Sequence, residues 1–568
     1  RTMKNWLLGL TTLCSIQLTI GQTTNEGSLT GNMETTFQYL NADSLIGATQ
    51  PESKGLMSSY MNVFYRNGNF KAGMRIESYL PRIQGYPNRF DGTGLGMRFI
   101  GYANDYIDIT LGHFYEQFGQ GTALRIYEDR NLGYDNVLDG ARIIFKPTKG
   151  VQLKGVYGYQ RYSFQNGSVV NSEGITRGAD AQFHLNDLIK PLAKSGLDLT
   201  LGGSFVSKYQ VDNDPDFILP QNVGVYGARA DLRFKKWTMN AEFTHKENDP
   251  SADNNYSYNT GHSAILNVGY SKKGLGIVFS AKSVDNMSFR SDRTKDLQDL
   301  LINYLPALNK THSYNLVATL YPYATRPVGE IAFQGEVLYM IPKGKINKKF
   351  GIPININYSS AFLPIQSTNG INANDSTRIT YVGKPFNKSD SLLWHDFNVN
   401  VTYKFSKSFY IIASYFNIAL NNDVSKISGD ASGLIVSNIG VAEFGWKINK
   451  NNNLRMEFQA LFTNKIDKVN EDQTISRVSN DKGNWATIVA EYSISPNWFF
   501  AVMDQYNYGN NNPDLRLHYL IGTVGYLKDA TRIAVNYGRQ RAGLFCVGGV
   551  CRFVPASNGL TLTVSHSF

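Results

Sequence analysis

Strict alternation of apolar and polar residues is the feature that most limits how this chain can fold. From about residue 28 to the end, segments of roughly 10 to 13 residues alternate in this way, with turn residues between them. A period of two places successive side chains on opposite faces of a β-strand. About 25 candidate strands can be counted from this pattern. The sequence therefore predicts an all-β protein made of consecutive hairpins.

The length of these strands favours a membrane-spanning barrel. Strands of soluble proteins have typically about 5–6 residues, whereas about 9–11 residues cross a bilayer at a tilt. Aromatic residues make up 13% of the chain and often stand at segment ends, as in the girdles of membrane barrels. Unpaired backbone groups are too costly in lipid, so the sheet must close. We expect one large antiparallel transmembrane β-barrel over residues 22–568, with 24 to 26 strands and short helices in its loops.

The hairpin at residues 223–246 shows the two expected faces of the barrel wall. Its strands meet at Lys235 and Lys236. The lipid face is predicted to carry Leu232, Phe234, Met239 and Phe243, and the lumen face the charged residues Arg229, Asp231, Arg233 and Glu242. A slip of one residue would exchange the two faces.

The chain ends on the alternating stretch NGLTLTVSHSF, which we expect to pair with the first strand and close the barrel. Phe568 resembles the C-terminal aromatic by which insertion machinery recognises outer-membrane barrels. Counting back from this end places the short turns at 528–529, 495–497, 449–453 and 406–408 on the periplasmic side. The alternation of turns breaks between residues 286 and 350, so the strand number stays a range.

Residues 1–21 have the features of a secretory signal peptide: Lys4, an apolar stretch over 6–20 and the small Gly21. Cleavage there lowers the net charge from +10 to about +8. No basic helix gathers the Lys and Arg residues, so nucleic acid is not expected as a partner. For an integral protein of the Gram-negative outer membrane, lipid and lipopolysaccharide are the expected neighbours.

Two cysteines follow the signal segment, Cys546 and Cys551, in the stretch CVGGVC. This spacing favours a small disulfide loop in an oxidising compartment. Free thiols are one alternative. Metal binding is the other, but it needs further ligands and no His stands nearby.

The stretch 113–142 is the most charged and least strand-like part of the first third of the chain. It is either an exposed loop with solvated charges or a segment folded into the lumen. In the second case its charges would form ion pairs with strand residues. The predicted network comprises Glu116, Arg125, Glu128, Arg130, Asp135 and Arg142.

Two stretches have helical spacing. Leu297, Leu300, Leu301, Tyr304 and Leu305 predict a loop helix over 291–310, and residues 185–194 predict a shorter one. Asp212, Asp214 and Asp216 form either an acidic surface loop or a loose calcium site, although the EF-hand pattern fails there. No motif of a hydrolase, a P-loop or a zinc protease is present. We therefore expect no enzyme activity, cofactor or metal.

Three stretches, FYEQFGQGTALRIYEDRNLGYDN, YPYATRPVGE and CVGGVCRFVPASNG, resemble an uncharacterised family of outer-membrane β-barrels of Bacteroidota. The resemblance covers the whole mature chain. It implies an outer-membrane location and no known enzymatic role, and it supplies no substrate.

Two functions fit these observations. The first is a channel or transport pore for unidentified hydrophilic solutes, because the lumen of so wide a barrel cannot be filled by wall side chains alone. The second is a non-conducting accessory or scaffold barrel for secretion or surface assembly, which the long outer loops would suit. A hydrolase lacks a recognisable Ser/His pair.

Overall fold

Twenty-four antiparallel strands pair edge to edge in one closed sheet. The computed structural model describes residues 27–368, 379–426, 433–469, 475–547 and 550–568. Each strand pairs with its neighbours in the chain, and the number lies within the range that the sequence predicted. The all-β barrel and its antiparallel order are thus confirmed.

The barrel strands are β1 Ser28–Asn41, β2 Gly55–Asn67, β3 Phe70–Tyr79, β4 Gly92–Ala103, β5 Ile107–Phe114, β6 Leu138–Phe145, β7 Val151–Gln165, β8 Ser168–His184, β9 Leu197–Tyr209, β10 Asn222–Phe234, β11 Trp237–Lys246 and β12 Gly261–Lys272. They continue with β13 Leu275–Asp285, β14 Gly329–Ile341, β15 Ile352–Ser367, β16 Val382–Lys404, β17 Phe409–Asn421, β18 Leu434–Lys447, β19 Asn452–Thr463, β20 Trp485–Ile494, β21 Trp498–Tyr506, β22 His518–Lys528, β23 Thr531–Gln540 and β24 Ser557–Ser567.

The first and last strands close the sheet. β1 pairs with β24 from Asn32 opposite Ser567 to Asn41 opposite Asn558. Beyond that ladder, the amide of Gly31 donates to the carbonyl of Phe568 at 2.8 Å, and the amide of Phe568 donates back at 2.9 Å. The predicted pairing of the last strand with the first is confirmed, and the barrel has no open edge.

The two ends of the barrel differ in the length of their connections. The end that holds the start of β1 and the end of β24 has short turns, such as 68–69, 235–236, 273–274 and 529–530. The turns predicted at 406–408, 449–453, 495–497 and 528–529 all fall at this short-turn end. Most connections at the opposite, long-loop end are longer, and the longest runs from 286 to 328.

The two faces of the wall have opposite character. On β11, the side chain of Phe243 is 46% exposed, whereas those of its neighbours Glu242 and Thr244 are 7% and 0% exposed. Apolar side chains recur at alternate positions on the exposed face, among them Met239, Phe279, Val502 and Val524. We call these two sides the apolar face and the polar face.

Aromatic side chains gather where the strands meet the short turns. Ring pairs link neighbouring strands there: Phe70 with Tyr102, Trp237 with Tyr270, and Trp498 with Tyr526, at centroid distances of 5.2, 4.9 and 4.7 Å. A row of this kind at one end of a barrel is typical of an interfacial girdle.

The helix predicted over 291–310 is wrong. Leu297 and Leu300 adopt φ angles of 51° and 54°, which an α-helix does not contain. The guanidinium of Arg290 donates to the carbonyl oxygens of Leu297 at 2.6 Å and Asp299 at 2.5 Å. These bonds satisfy backbone acceptors that a helix would pair internally. The segment is therefore irregular, and its spaced leucines share no buried face: Leu300 is 3% exposed and Leu297 is 76% exposed.

The described helices are short. They are α1 Leu185–Leu188, α2 Lys190–Ala193, α3 Asn315–Thr319 and α4 Asn422–Ser425. The first two lie within the single short helix predicted over 185–194, at the short-turn end, but the extended backbone of Ile189 divides that stretch into two helices. None of the helices in the described residues has the length and hydrophobicity needed to cross a membrane.

Candidate functional site

Two long connections from the long-loop end pack against the polar face of the sheet. We call residues 115–137, between β5 and β6, the first insert, and residues 286–328, between β13 and β14, the second insert. Both carry fully buried side chains, for example Phe118 and Leu124 in the first and Phe289 and Ile302 in the second.

The first insert is folded into two small hairpins. Glu116–Phe118 pairs with Leu124–Ile126, and Glu128–Asp129 pairs with Tyr134–Asp135. Gly133 has a φ of 62° and completes the tight turn of the second hairpin, a conformation that favours glycine. The hairpins satisfy the backbone of a segment that would otherwise bury unpaired polar groups.

Polar side chains of the wall hold the first hairpin. The carboxylate of Glu116 lies 2.7 Å from the Nζ of Lys154 and 3.5 Å from a guanidinium nitrogen of Arg142. The carboxylate of Glu242 on β11 accepts the backbone amide of Gln120 at 2.7 Å and the hydroxyl of Thr122. This side of the first insert is thus bound to β6, β7 and β11.

A buried charged cluster holds the second hairpin. Arg75, Glu77 and Arg161 come from β3 and β7, and Glu128 and Asp135 come from the insert; we call these five residues the anchor cluster. Arg75 forms a two-pronged pair with Glu128, at 2.8 Å for both bonds. Arg161 binds Glu77 at 2.6 and 2.9 Å and Asp135 at 3.0 Å. Buried charges need close ion pairs of this kind to offset the free-energy cost of removing them from water.

Burial also affects the protonation of the cluster. It raises the pKa of Asp135, and the nearby carboxylate of Glu128 adds to this effect, while Arg161 opposes it. Arg130 lies 3.1 Å from Glu128, so three arginines and three carboxylates share the site. The hydroxyl of Tyr115 donates to Asp135 at 3.0 Å. With Arg130 added to the anchor cluster, the numbers of arginines and carboxylates at this site are equal.

The second insert contacts strands around most of the ring. The side chains of Gln160 on β7 and Lys282 on β13 donate to its carbonyl oxygens at Leu301 and Pro306, at 2.7 Å in both cases. Its own groups then reach Asn355, Asp396, Glu443, Gln459 and Gln505, which lie on β15, β16, β18, β19 and β21. The insert thus crosses the polar face from one side of the sheet to the other.

The two inserts also bind each other. The amide of Arg125 donates to the carbonyl of Ile302 at 2.8 Å, and the amide of Tyr304 donates to the carbonyl of Gly121 at 2.9 Å. The guanidinium of Arg125 lies 3.9 Å from the ring centroid of Tyr304 and 4.4 Å from that of Tyr127. The inserts therefore form one packed body.

The predicted residues divide into three groups in the structure. Glu116, Glu128, Arg130, Asp135 and Arg142 all form ion pairs in or against the first insert, whereas Arg125 stacks on aromatic rings. On the neighbouring strands, Arg229 pairs with Asp180 at 2.6 Å, Glu242 binds the insert, and Asp231 accepts from Asn240. Arg233 is exposed and lines a cavity of about 620 Å³ at the short-turn end with His184 and Asp198.

Sequence reasoning missed the wall half of the anchor cluster. A single charged residue in an alternating strand cannot be distinguished from the other polar residues of its face. This is the case for Arg75, Glu77 and Arg161. The signal that could have found them is that β3 carries two opposite charges, at positions 75 and 77, on a single face. Their partners are distant in the chain, since Arg161 and Glu77 lie 84 residues apart.

The remaining candidates show no metal site. Asp212 and Asp214 accept hydrogen bonds from backbone amides of their own loop, at Leu219 and Phe217. The described residues contain no cluster of three or more His, Cys, Asp or Glu that could hold a metal ion. Cys546 stands opposite Cys551 in the hairpin of Gly543–Val547 with Val550–Val554, and both side chains lie outside the described part of the chain.

Solved structures with a similar fold include the following three. The siderophore receptor PirA from Pseudomonas aeruginosa is 8% identical, with 95% of this chain and 80% of that chain covered and a TM-score of 0.40. The outer membrane transporter YddB from Escherichia coli is 8% identical (95% and 81% covered, TM-score 0.39). The RagAB peptide importer in the closed-closed state is 9% identical (96% and 87% covered, TM-score 0.38).

Similarities this distant assign no function to the chain. No curated protein sequence matches it. A family match, by contrast, extends over residues 3–568, almost the full sequence. The chain belongs to the family of unknown function DUF6029.

Proposed function

We propose that this protein is an integral outer-membrane β-barrel that transports hydrophilic solutes and is closed in this structure by its two inserts. The closed sheet leaves no unpaired strand edge to meet lipid. Its apolar face exposes far more large hydrophobic side chains than a soluble monomer tolerates. The aromatic girdle at the short-turn end supports the same location.

The polar face is, in this proposal, the wall of the lumen. The contacts of the second insert with strands from β7 to β21 are made by residues of that face. A single segment can reach opposite sides of a closed ring in this way only from within the ring. The charges Arg229, Asp231, Arg233 and Glu242 then lie inside, and the first insert is the lumenal segment that the sequence offers as one alternative over 113–142.

The observation that carries the transport proposal is that two mutually bound inserts pack against the polar face of the closed sheet. A barrel of 24 strands is too wide to be filled by wall side chains, so its lumen is either open or plugged. Here the inserts are held to the wall by polar and ionic contacts as well as by apolar packing. Water can replace the polar contacts when the inserts move. A purely structural filling would be expected to use apolar packing throughout.

A non-conducting scaffold barrel for secretion or surface assembly is the second candidate. The observation that favours it is the depth of the anchor cluster, in which Glu77 and Arg161 are 0% and 3% exposed. Pairs buried to this extent are costly to separate. On this alternative the inserts never leave the lumen and the long loops bind a protein partner.

Assembly in either case follows one proposed route. The segment 1–21, which lies outside the described residues, directs export as a signal peptide. The insertion machinery then recognises Phe568, and the mature barrel lies among outer-membrane lipid and lipopolysaccharide. The long-loop end, with the hairpin of Cys546 and Cys551, faces outwards, and these cysteines form a disulfide.

Single-channel recording in planar bilayers separates the two functions. We compare the wild type with a variant carrying Glu128→Gln and Asp135→Asn, which breaks the insert half of the anchor cluster and leaves the Arg161–Glu77 pair of the wall intact. Asp214→Asn with Asp216→Asn removes the same charge from a loop outside both inserts and serves as the control. We expect rare openings of wild type and control and steady conductance of the anchor variant.

Absence of conductance from the folded anchor variant contradicts the transport proposal. Heat-modifiable migration on gels verifies that the barrel is folded. If the silent variant also co-purifies with a stable protein partner, the scaffold function is supported instead.

A further inference from the structure

A cavity of about 540 Å³ lies between the body formed by the inserts and the wall strands β1 and β21 to β24. This volume is within the range of about 300–1,000 Å³ that holds small ligands. Residues Thr36, Gln505, Asn536 and Thr561 supply hydroxyl and amide groups from the wall. The hairpin 543–554 bounds the cavity at the long-loop end, through Gly543, Leu544, Arg552 and Val554.

The charge of the cavity lining is strongly unbalanced. Four arginines line it, Arg130, Arg539, Arg541 and Arg552, against the single carboxylate of Glu34. Two of the four have carboxylate partners: Arg539 lies 2.7 Å from Asp43, and Arg130 pairs with Glu128 and Glu34 at 3.1 and 3.8 Å. The positive excess therefore comes from Arg541 and Arg552.

Neither of these two arginines forms an ion pair with a carboxylate in the described part of the chain. The Nε and Nη1 atoms of Arg552 are buried and have no hydrogen-bond partner there, and its guanidinium lies 5.3 Å from the ring centroid of Tyr86. Arg541 donates to the hydroxyl of Thr319 on α3 and lies 5.7 Å from the ring of Trp485. Unpaired donors at a buried cation are costly, which indicates a missing anionic partner.

Both side chains stay cationic at neutral pH. Burial lowers the pKa of Arg541 to about 10 and also lowers the pKa of Arg552. A guanidinium offers a planar pair of donors that matches the two oxygens of a carboxylate or phosphate group. Neutral hydroxyls and amides nearby can bind the uncharged remainder of such a molecule.

We propose that this cavity binds a small hydrophilic solute through its oxyanion group, a carboxylate or a phosphate, with Arg541 and Arg552 as the two principal donors. This inference rests on the proposed transport function. It adds the chemical class of the transported solute. Binding itself is independent of conduction and can be measured without a membrane.

Isothermal titration of the detergent-solubilised full-length protein tests the site, with inorganic phosphate and succinate as separate probes and glucose as the neutral control. The test variant carries Arg541→Gln and Arg552→Gln, and the matched control is Arg532→Gln on β23. We expect saturable binding of at least one anion. Its affinity should fall at least about tenfold in the double variant, as for the loss of a charge-assisted bond. Binding by the control should stay within about twofold, as for a distant substitution.

The outcomes separate the possibilities. Binding of phosphate alone or of succinate alone supports the proposal and assigns the anion. Equal affinity of wild type and double variant, or no binding of either anion, overturns it. A variant with Arg541→Lys and Arg552→Lys keeps the charges and guards against misfolding, because partial recovery of binding is expected. Anion binding by a protein that never conducts would overturn the transport function and leave the binding site standing. Conduction without anion binding would overturn the binding site and leave the transport function standing.

Discussion

Adjacent residues of one strand meet entirely different surroundings in this protein. On β22, Val524 lies 43% exposed on the apolar face, opposite Phe500 on β21 and Val535 on β23. Its neighbour Thr523 points to the polar face and donates to the side chain of Asn536 at 2.7 Å. The same substitution at these two positions should therefore affect the stability of the barrel to very different extents.

We predict that Val524→Arg lowers the stability of the barrel far more than Thr523→Arg. An arginine on the lipid face near the middle of the membrane costs about 2–4 kcal/mol, whereas one in a polar lumen is solvated. Equilibrium unfolding in lipid vesicles measures the difference. Equal losses at the two positions would mean that the apolar face does not contact lipid.

Single residues were predictable from the sequence where a local pattern defines them. Alternation alone places Arg229 and Glu242 on one face of the hairpin and Phe243 on the other. The partner of a charge is a different matter, because it depends on segments far away in the chain. Glu242 binds Gln120 and Thr122, about 120 residues upstream, and no local spacing encodes that contact.

The second insert depends on wall glycines for its close approach. A Cβ atom on Gly174 of β8 would lie 1.8 Å from the carbonyl oxygen of Ser291, so no other residue fits there without displacement. By contrast, a Cβ on Gly440 of β18 would meet nothing within 4 Å. This pair offers a test of how the insert is seated.

Gly174→Val should loosen the second insert and leave the barrel folded. We expect amide hydrogen exchange over residues 286–302 to become roughly tenfold faster, which corresponds to about 1.4 kcal/mol of local stability. Gly440→Val, the control, should leave that exchange unchanged. Unchanged exchange in Gly174→Val as well would show that the insert is not held against β8.

The terminal strand makes a separate prediction. Phe568 exchanges two backbone hydrogen bonds with Gly31, and its ring lies where a Cβ on Gly31 would come within 2.4 Å. Deletion of Phe568 should slow barrel insertion, because both the recognition residue and the last bonds of the seam are lost. Pulse-chase labelling with protease digestion measures this, and assembly at the wild-type rate would refute the role of Phe568.

The hairpin of the two cysteines tests the orientation of the barrel. After mild reduction, a membrane-impermeant thiol reagent should label Cys546 and Cys551 on intact cells. Cys546→Ser should leave the barrel intact, because a loop this short contributes only about 2 kcal/mol or less of chain-entropy stabilisation. Labelling only after the envelope is broken would place the long-loop end inside.

Regular elements followed from the sequence more completely than the inserts did. Strands with a period of two and turns such as 235–236 have local signals, and both were predicted. The helix expected over 291–310 failed because the segment is irregular and its spaced leucines share no buried face: Leu300 is 3% exposed, whereas Leu297 is 76% exposed. Helical spacing predicts a helix only where the spaced residues share one buried face, and these residues do not.

The whole molecule combines a closed wall with two inserts that the wall binds through polar contacts and apolar packing. The inserts are held by wall residues from β3 to β21, and they are joined to each other by backbone bonds at Arg125 and Tyr304. The cavity of Arg541 and Arg552 lies where this filling is incomplete. In our account, movement of the first insert opens the lumen to a solute.

Reversible locking of the first insert tests that claim most directly. The hydroxyls of Thr122 in the insert and Thr244 on β11 lie 2.5 Å apart, so Thr122→Cys and Thr244→Cys can form a disulfide between insert and wall. We combine them with Glu128→Gln and Asp135→Asn, and with Cys546→Ser and Cys551→Ser to remove other thiols. The measurement is the bilayer conductance of this one protein before and after reduction. The account predicts a silent oxidised barrel that conducts once the disulfide is reduced; equal conductance in the two states, or none in either, would contradict it.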